Sequence, residues 1–490
     1  MNKQTIPLRI PSSLADVEAV IQTTWGETPD LVVCRLQVKQ MHKDVLLMYL
    51  DSLADKNSIN NNVLQPLLFE KHHATNVEDI AILIGQKKYT KLWPDIETAI
   101  FQGESVLFID GEQKALILDT QGWPQRAIAE PQVESSLKGA HQGFIETSGK
   151  NIALIRRYLP NRELKIKELT VGRRGKTKVA ILYLEDVAHP EVLQELEDRI
   201  RNIDVDAVVN TGELMQLIED NPFSPFPQFL LTERPDAAVS NLLQGRIAII
   251  VDRSPSVMIA PMSFISFFQT VDDYSTRWMI ATFLRLLRPL AFFIAIFLPS
   301  LYIAAISFHY ELLPLNLILT VGESREQVPL PPILEAILME LAIEMLREAG
   351  LRLPAPIGQT VGIVGGVVIG QAAVQAGLVS NIMVVVVAIT AIGSFIIPNP
   401  DMSESVRLIR FPMMIVSSLF GIVGMAIGLM ILVVHLACLE SLGTPFGSPF
   451  APVRFRDWKD TVVRFPLWAM RNRPLSARPI QLKRQTKTRK

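Results

Sequence analysis

Two cysteines, Cys34 and Cys438, are all that these 490 residues hold. So distant a pair forms neither a disulfide framework nor a thiolate metal site, and it fits a first half kept in a reducing compartment. The seven histidines are scattered, apart from His72–His73, which read as surface residues. Catalytic signatures are missing as well. There is no Gly-x-Gly-x-x-Gly after a strand, no phosphate-binding P-loop, no Gly-x-Ser-x-Gly and no His-Glu-x-x-His. No residue pair supplies a nucleophile with a base or a metal site, so neither an enzyme nor a bound cofactor is expected. The start of the chain is polar through Asp16 and lacks the apolar core of a signal peptide, which places the first half in the cytosol. Charge names no partner: 20% charged residues and a net charge of −1 average over two unlike halves. The basic run Arg173, Arg174, Lys176, Lys178 lacks interleaved aromatics and reads as a turn beside a strand, so no nucleic acid is expected.

What the chain does have is long uncharged text after Arg288. Residues 289–308, 359–378, 379–397 and 411–439 are each long enough to cross a hydrocarbon core of about 30 Å. Arg277, Arg285 and Arg288 precede the first run. After the last come Arg454, Arg456, Lys459, Arg464, Arg471, Arg473, Arg478, Lys483, Arg484, Lys487, Arg489 and Lys490, against Asp457 and Asp460. Both ends therefore read as cytosolic, with four crossings between them. The basic tail reads as a positive flank that also suits anionic lipid.

Two patterns lie within this half. Residues 331–349 predict an amphipathic helix on which Glu340, Glu344 and Glu348 share a stripe about 80° wide. Three readings stay open for it: packing at the interface or between subunits, a ring of carboxylates facing a pore, and pairing with Arg347 or Arg352. Gly358, Gly362, Gly366 and Gly370 recur every four residues and leave one helix face bare. Such a strip suits close helix packing or a lumen wall.

The first half reads as two α/β lobes, residues 1–130 and 131–282, before a membrane domain at 283–440 and a basic tail at 441–490. Strands are predicted at 105–109, 115–118, 179–184 and 246–251, and a helix at 190–203. Asp272–Asp273, just ahead of the first span, suit either a cation or ion pairs with Arg277 and Arg285.

Several ordered segments resemble the A subunits of GerA-type spore germinant receptors. They include Glu130-Pro131, Gly143-Phe144-Ile145-Glu146, Asn151 with Leu154-Ile155-Arg156-Arg157, and Ser224-Pro225-Phe226-Pro227-Gln228. Thr232-Glu233-Arg234-Pro235-Asp236, Gln244-Gly245-Arg246, Asp273-Tyr274 and Arg285-Leu286-Leu287-Arg288 continue the series. Leu298-Pro299-Ser300-Leu301-Tyr302, Arg347-Glu348-Ala349-Gly350 and Gly362-Ile363-Val364-Gly365-Gly366 complete it. One departure stands out: Lys138-Gly139-Ala140 replaces the family's Arg-Gly-Pro, which loosens the backbone there. The resemblance also extends to the stage V AF-type paralogues.

The resemblance implies a nutrient-receptor subunit in the inner membrane of a spore, beside a transporter-like B subunit and a lipoprotein C subunit. It implies a homo-oligomer, a pentamer in plausible form, acting as a ligand-gated channel that releases monovalent cations. Within the matching segments, Glu233, Arg234, Asp236, Asp273, Arg285 and Arg288 are candidates for coupling the lobes to the membrane. A non-conducting scaffold and a secondary transporter are the competing readings; the transporter expects internal repeats that the spans lack.

Overall fold

The computed structural model describes residues 7–26, 28–38, 43–69, 82–122, 131, 134, 139 and 141–485. His72 and His73, Glu130, Lys138 and Ala140, and the last lysines and arginine of the tail lie outside these residues.

The first lobe runs α1 (Leu14–Trp25), β1 (Leu31–Val38), β2 (Lys43–Leu50), α2 (Lys56–Ser58), α3 (Gln65–Phe69), β3 (Lys87–Thr90), α4 (Trp93–Phe101), β4 (Ser105–Ile109) and β5 (Ala115–Leu118). The second runs α5 (Ser148–Tyr158), β6 (Leu164–Val171), β7 (Thr177–Leu184), α6 (Pro190–Arg201), α7 (Thr211–Ile218), β8 (Leu230–Thr232), α8 (Pro235–Leu242), β9 (Ile247–Val251) and β10 (Val257–Ala260). The two sheets have orders β1-β2-β4-β5-β3 and β6-β7-β9-β10-β8, which is one topology used twice. Every pairing is antiparallel. The lobes are thus two copies of one helix-flanked unit.

Each sheet is covered on both faces, which explains why strands such as Ile-Ala-Ile-Ile-Val read as unbroken apolar text rather than alternation. Along β9, Ile247, Ile249 and Val251 face the layer of α6 and α7, whereas Ala248 and Ile250 face that of α5 and α8. In the first lobe α1 and α4 cover one face of the sheet and residues 59–67 the other. Between the lobes, Arg156 of α5 is wholly buried and grips Asp30 with two bonds of 2.7 and 2.8 Å. The basic turn at Arg173 joins β6 to β7, and its arginines pair with Asp204 and Asp206.

The helical half holds α9 (Asp272–Ser275), α10 (Trp278–Ser307), α11 (Leu315–Arg325), α12 (Pro332–Arg352), α13 (Ala355–Gln375), α14 (Asn381–Ile396) and α15 (Pro400–Cys438). Among the described residues, α10 and α15 are long and apolar enough to cross a bilayer, by length and composition. Taken as straight, α15 would measure about 58 Å, nearly twice the hydrocarbon thickness. It is not straight. Gly421 has φ 61° and ψ −140°, a backbone open to glycine and outside the helical range. Beyond it the chain doubles back: a side chain on Gly424 would strike the carbonyl of Val416, and one on Gly428 would meet the sulfur of Met413 at 2.6 Å. Ser405 near the start and His435 near the end consequently both reach the Ser224–Pro225 segment of the second lobe. The single span expected at 411–439 is therefore corrected to a helical hairpin whose arms are about 30 and 25 Å long.

Levels along α10 order the other helices. Tyr302 lies by Ser380, the N-cap of α14, and Gly393 near its end lies by Ala291. α12 descends from Glu335, bonded to the Ser380 N–H, to Arg347, bonded to Ser394. α13 returns antiparallel to it, with Gly358 against Gly350 and Gly365 against Leu346. Pro299 inside α10 cannot donate to the carbonyl of Ala295. That carbonyl is taken instead by Arg410 Nε at 2.7 Å.

After α15 the tail, with β11 (Glu440–Ser441), β12 (Thr444–Pro445) and α16 (Trp458–Thr461), folds back onto the second lobe. Phe446 accepts from Phe264 N at 2.8 Å, Ile480 N donates to Val187 and Arg473 donates to the Leu243 carbonyl. Much of the expected basic flank is thus a strap held by backbone bonds.

Candidate functional site

The segment joining the second lobe to α10 gathers buried charge. Pro235 at the first turn of α8 sets Arg234 just ahead of the helix, and Arg234 holds two carboxylates. Its Nε and Nη2 reach Asp236 at 3.0 and 2.8 Å, and Nη1 and Nη2 reach Asp272 at 3.1 Å each. Burial opposes its charge, but the bonds to Asp236 and Asp272 prevail and its pKa is raised.

Asp273, 2% exposed, receives two arginines from successive turns of α10. Arg285 Nε donates at 3.0 Å, and Arg288 Nη1 and Nη2 donate at 2.9 Å each. Burial works to raise the Asp273 pKa, yet the bonds from Arg288 and Arg285 outweigh it and hold it below the usual value. Of the two pairings expected for the acidic doublet, Arg285 takes part, whereas Arg288 stands in place of Arg277. Arg285 continues to Asp460 of the tail at 3.1 Å. Asp460 also accepts from the Tyr274 hydroxyl at 2.9 Å. The Tyr274 ring lies between two guanidinium groups, Arg285 at 5.2 Å and Arg464 at 5.4 Å. Burial and Asp460 push the Tyr274 hydroxyl up to about 12.

Five of the six coupling candidates therefore fall in two charge clusters that meet at the neighbouring carboxylates Asp272 and Asp273. The sixth, Glu233, precedes Arg234 in the chain, and its carbonyl accepts from Phe144 N at 2.8 Å. Sequence reading missed Asp272 as the partner of Arg234, and read Asp460 and Arg464 only as tail charges. The available signal for Asp460 was its acidity within an otherwise basic tail.

In the helical half the acidic stripe spreads over three partners. Glu340 pairs with Arg410 deep inside, both side chains being 4% exposed. Glu344 meets Arg407 of α15 at 3.4 Å, and Glu348 meets Arg352 at 2.6 Å. Arg347 instead lies over the Phe395 ring at 4.6 Å. The glycine strip divides. Gly358 is pressed on the Gly350 carbonyl, and Gly370 lies 3.7 Å from Val384 for an added Cβ. Gly362 and Gly366 face open space.

The chain thus joins two antiparallel lobes of one sheet order, through an arginine–aspartate joint, to a helical half with two helices long and apolar enough to cross a bilayer by length and composition. The family model described as Bacillus/Clostridium GerA spore germination protein matches residues 19–476, and the chain belongs to that family. It is 41% identical over 476 residues to spore germination protein KA of Bacillus subtilis (strain 168), covering 96% of this chain and 88% of that protein. It is 39% identical over 439 residues to the membrane protein YfkQ of the same organism, covering 87% and 84%. A crystal structure of the N-terminal domain of the A subunit of the Bacillus megaterium spore germinant receptor GerK3 is similar at 28% identity. It covers 53% of this chain and 99% of that one, with a TM-score of 0.41.

Proposed function

We propose that this chain is the A-type membrane subunit of a spore germinant receptor, and that copies of it form a ring around a ligand-gated path for monovalent cations. Family membership supports the receptor role. In this reading the chain works with a transporter-like B subunit and a lipoprotein C subunit in the inner spore membrane. The observation that carries the gating is one continuous core. Phe226, Phe267 and Phe268 of the second lobe pack in the same cluster as Phe292, Ala295 and Ile296 of α10 and Met402, Val406 and Leu432 of α15. A displacement of the lobe is thereby a displacement of the helices, because close-packed interiors transmit strain.

The helix levels support six crossings rather than four: α10, α12, α13, α14 and the two arms of α15, with both ends still cytosolic. The pore is assigned to the open side of α13, where small and apolar positions suit a passage that closes by dewetting. Gly366→Leu tests it well, since an added Cβ there meets nothing among the described residues. Purified receptor in liposomes, with its partner subunits and nutrient, passes cation current that Gly366→Leu abolishes while the folded yield stays unchanged. A ring of unaltered size with no current, even under saturating nutrient, would make the chain a scaffold instead.

A further inference from the structure

A cavity of ≈290 Å3 opens beside the arginine–aspartate joint, at the seam between the second lobe and the turn from α14 to α15. Ser240 and Asn241 of α8, Ser266, Gln269 and Thr270 form much of one side, and Pro398 and Asn399 come from the helical half. Arg246 stands in this wall and is 5% exposed.

Its situation differs from that of the neighbouring arginines. Arg234 and Arg285 each bind two carboxylates. Arg246 binds two neutral groups: Nη1 donates to the Asn241 side-chain oxygen, and Nη2 donates to Ser266 Oγ at 2.8 Å. Its Nε has no partner among the described residues. A guanidinium carries five N–H groups, so three remain uncommitted. The nearby acids are already engaged. Asp272 is held by Arg234, and Asp460 by Arg285 and Tyr274. Glu134, also in the wall, accepts from the Thr232 hydroxyl at 2.7 Å, and burial raises its carboxyl above the ordinary value. Arg246 has no ion pair of its own among the described residues, and a buried cation so placed is strongly disfavoured. Burial accordingly lowers the Arg246 pKa to about 10, which still leaves it charged at neutral pH.

We propose that this cavity is a binding site for a small oxyanion, a carboxylate or a phosphate group, seated on the free N–H groups of Arg246. The planar fork of a guanidinium matches both groups in geometry. The position gives the anion a role. Asn399, whose side chain caps α15 by accepting from Met402 N at 2.8 Å, shares the cavity with Arg246 of the lobe. An occupant therefore ties the lobe to the turn that starts the hairpin and holds that seam closed.

The test uses the full chain in detergent and reads its thermal unfolding midpoint in sodium phosphate or sodium succinate, against sodium chloride at matched ionic strength. The midpoint rises with each tenfold increase of at least one of the two oxyanions, as expected for a ligand bound to the folded state. A rise with phosphate alone assigns a phosphate group, and a rise with succinate assigns a carboxylate. Arg246→Met removes the rise. So does Ser240→Leu, which fills the cavity from α8 and leaves Arg246 with both of its partners, so the comparison stands even where Arg246→Met fails to fold. No rise with either oxyanion, or a rise that survives Ser240→Leu, overturns the proposal. The readout is independent of ion conduction.

Discussion

Asp273 concentrates the largest single penalty in the joint. It neutralises Arg285 and Arg288 together, and removal of one partner from a buried ion pair typically costs about 3–5 kcal/mol. Asp273→Ala is therefore expected to lower the unfolding midpoint sharply, whereas Arg277→Ala, at the N-cap of α10, leaves it within error; thermal unfolding of the full chain in detergent separates the two. Glu219 makes a second prediction, in pH. Burial, with Asp401 and Asp220 nearby, raises its pKa from 4.5 to about 7. A carboxyl with a raised folded pKa favours the folded state fully below its unfolded pKa, and that contribution is lost as pH rises through the folded value. Stability from this group thus falls between about pH 4.5 and 7. Glu219→Gln should flatten that part of the midpoint–pH curve, and an unchanged slope would show that Glu219 ionises freely.

At the scale of elements, Gly421 decides the shape of α15. Its left-handed backbone, and the 2.7 Å approach of an added Cβ to the His309 ring, leave no room for alanine. Gly421→Ala is expected to reduce the yield of folded protein, while Gly362→Ala, with open space around it, does not; size-exclusion profiles after extraction report the difference. This hairpin was not legible in the sequence, because residues 411–439 carry no charge or turn cluster to interrupt the apolar text. Length was the one available clue, since a straight helix over that run is already about 43 Å long. Strands were easier. The β-branched runs at 105–109, 115–118, 179–184 and 246–251 appear as β4, β5, β7 and β9. Their arrangement was hidden, because the duplicated sheet order is set by backbone pairing between segments whose side chains differ. The joint was half legible: arginines and aspartates near a membrane boundary suggested pairing, but Asp460 comes from a strap more than 170 residues away.

For the whole molecule, the division near Arg288 survives as a change in composition but not as a break in packing. The phenylalanines under the second sheet, the middle of α10 and both arms of α15 share one interior, and the tail crosses back to bind the lobe. Lobe and helices so joined cannot move independently, which is the physical basis of the gating proposed above. Oligomerisation completes that proposal, because among the described residues an added Cβ at Gly362 or Gly366 of α13 meets nothing. The most direct measurement is an image of the full-length protein in lipid nanodiscs at a resolution that separates helices. The account predicts a closed ring with the Gly362–Gly366 side of α13 turned toward the central axis or the neighbouring subunit. A monomer, or a ring in which that side faces lipid, would contradict it.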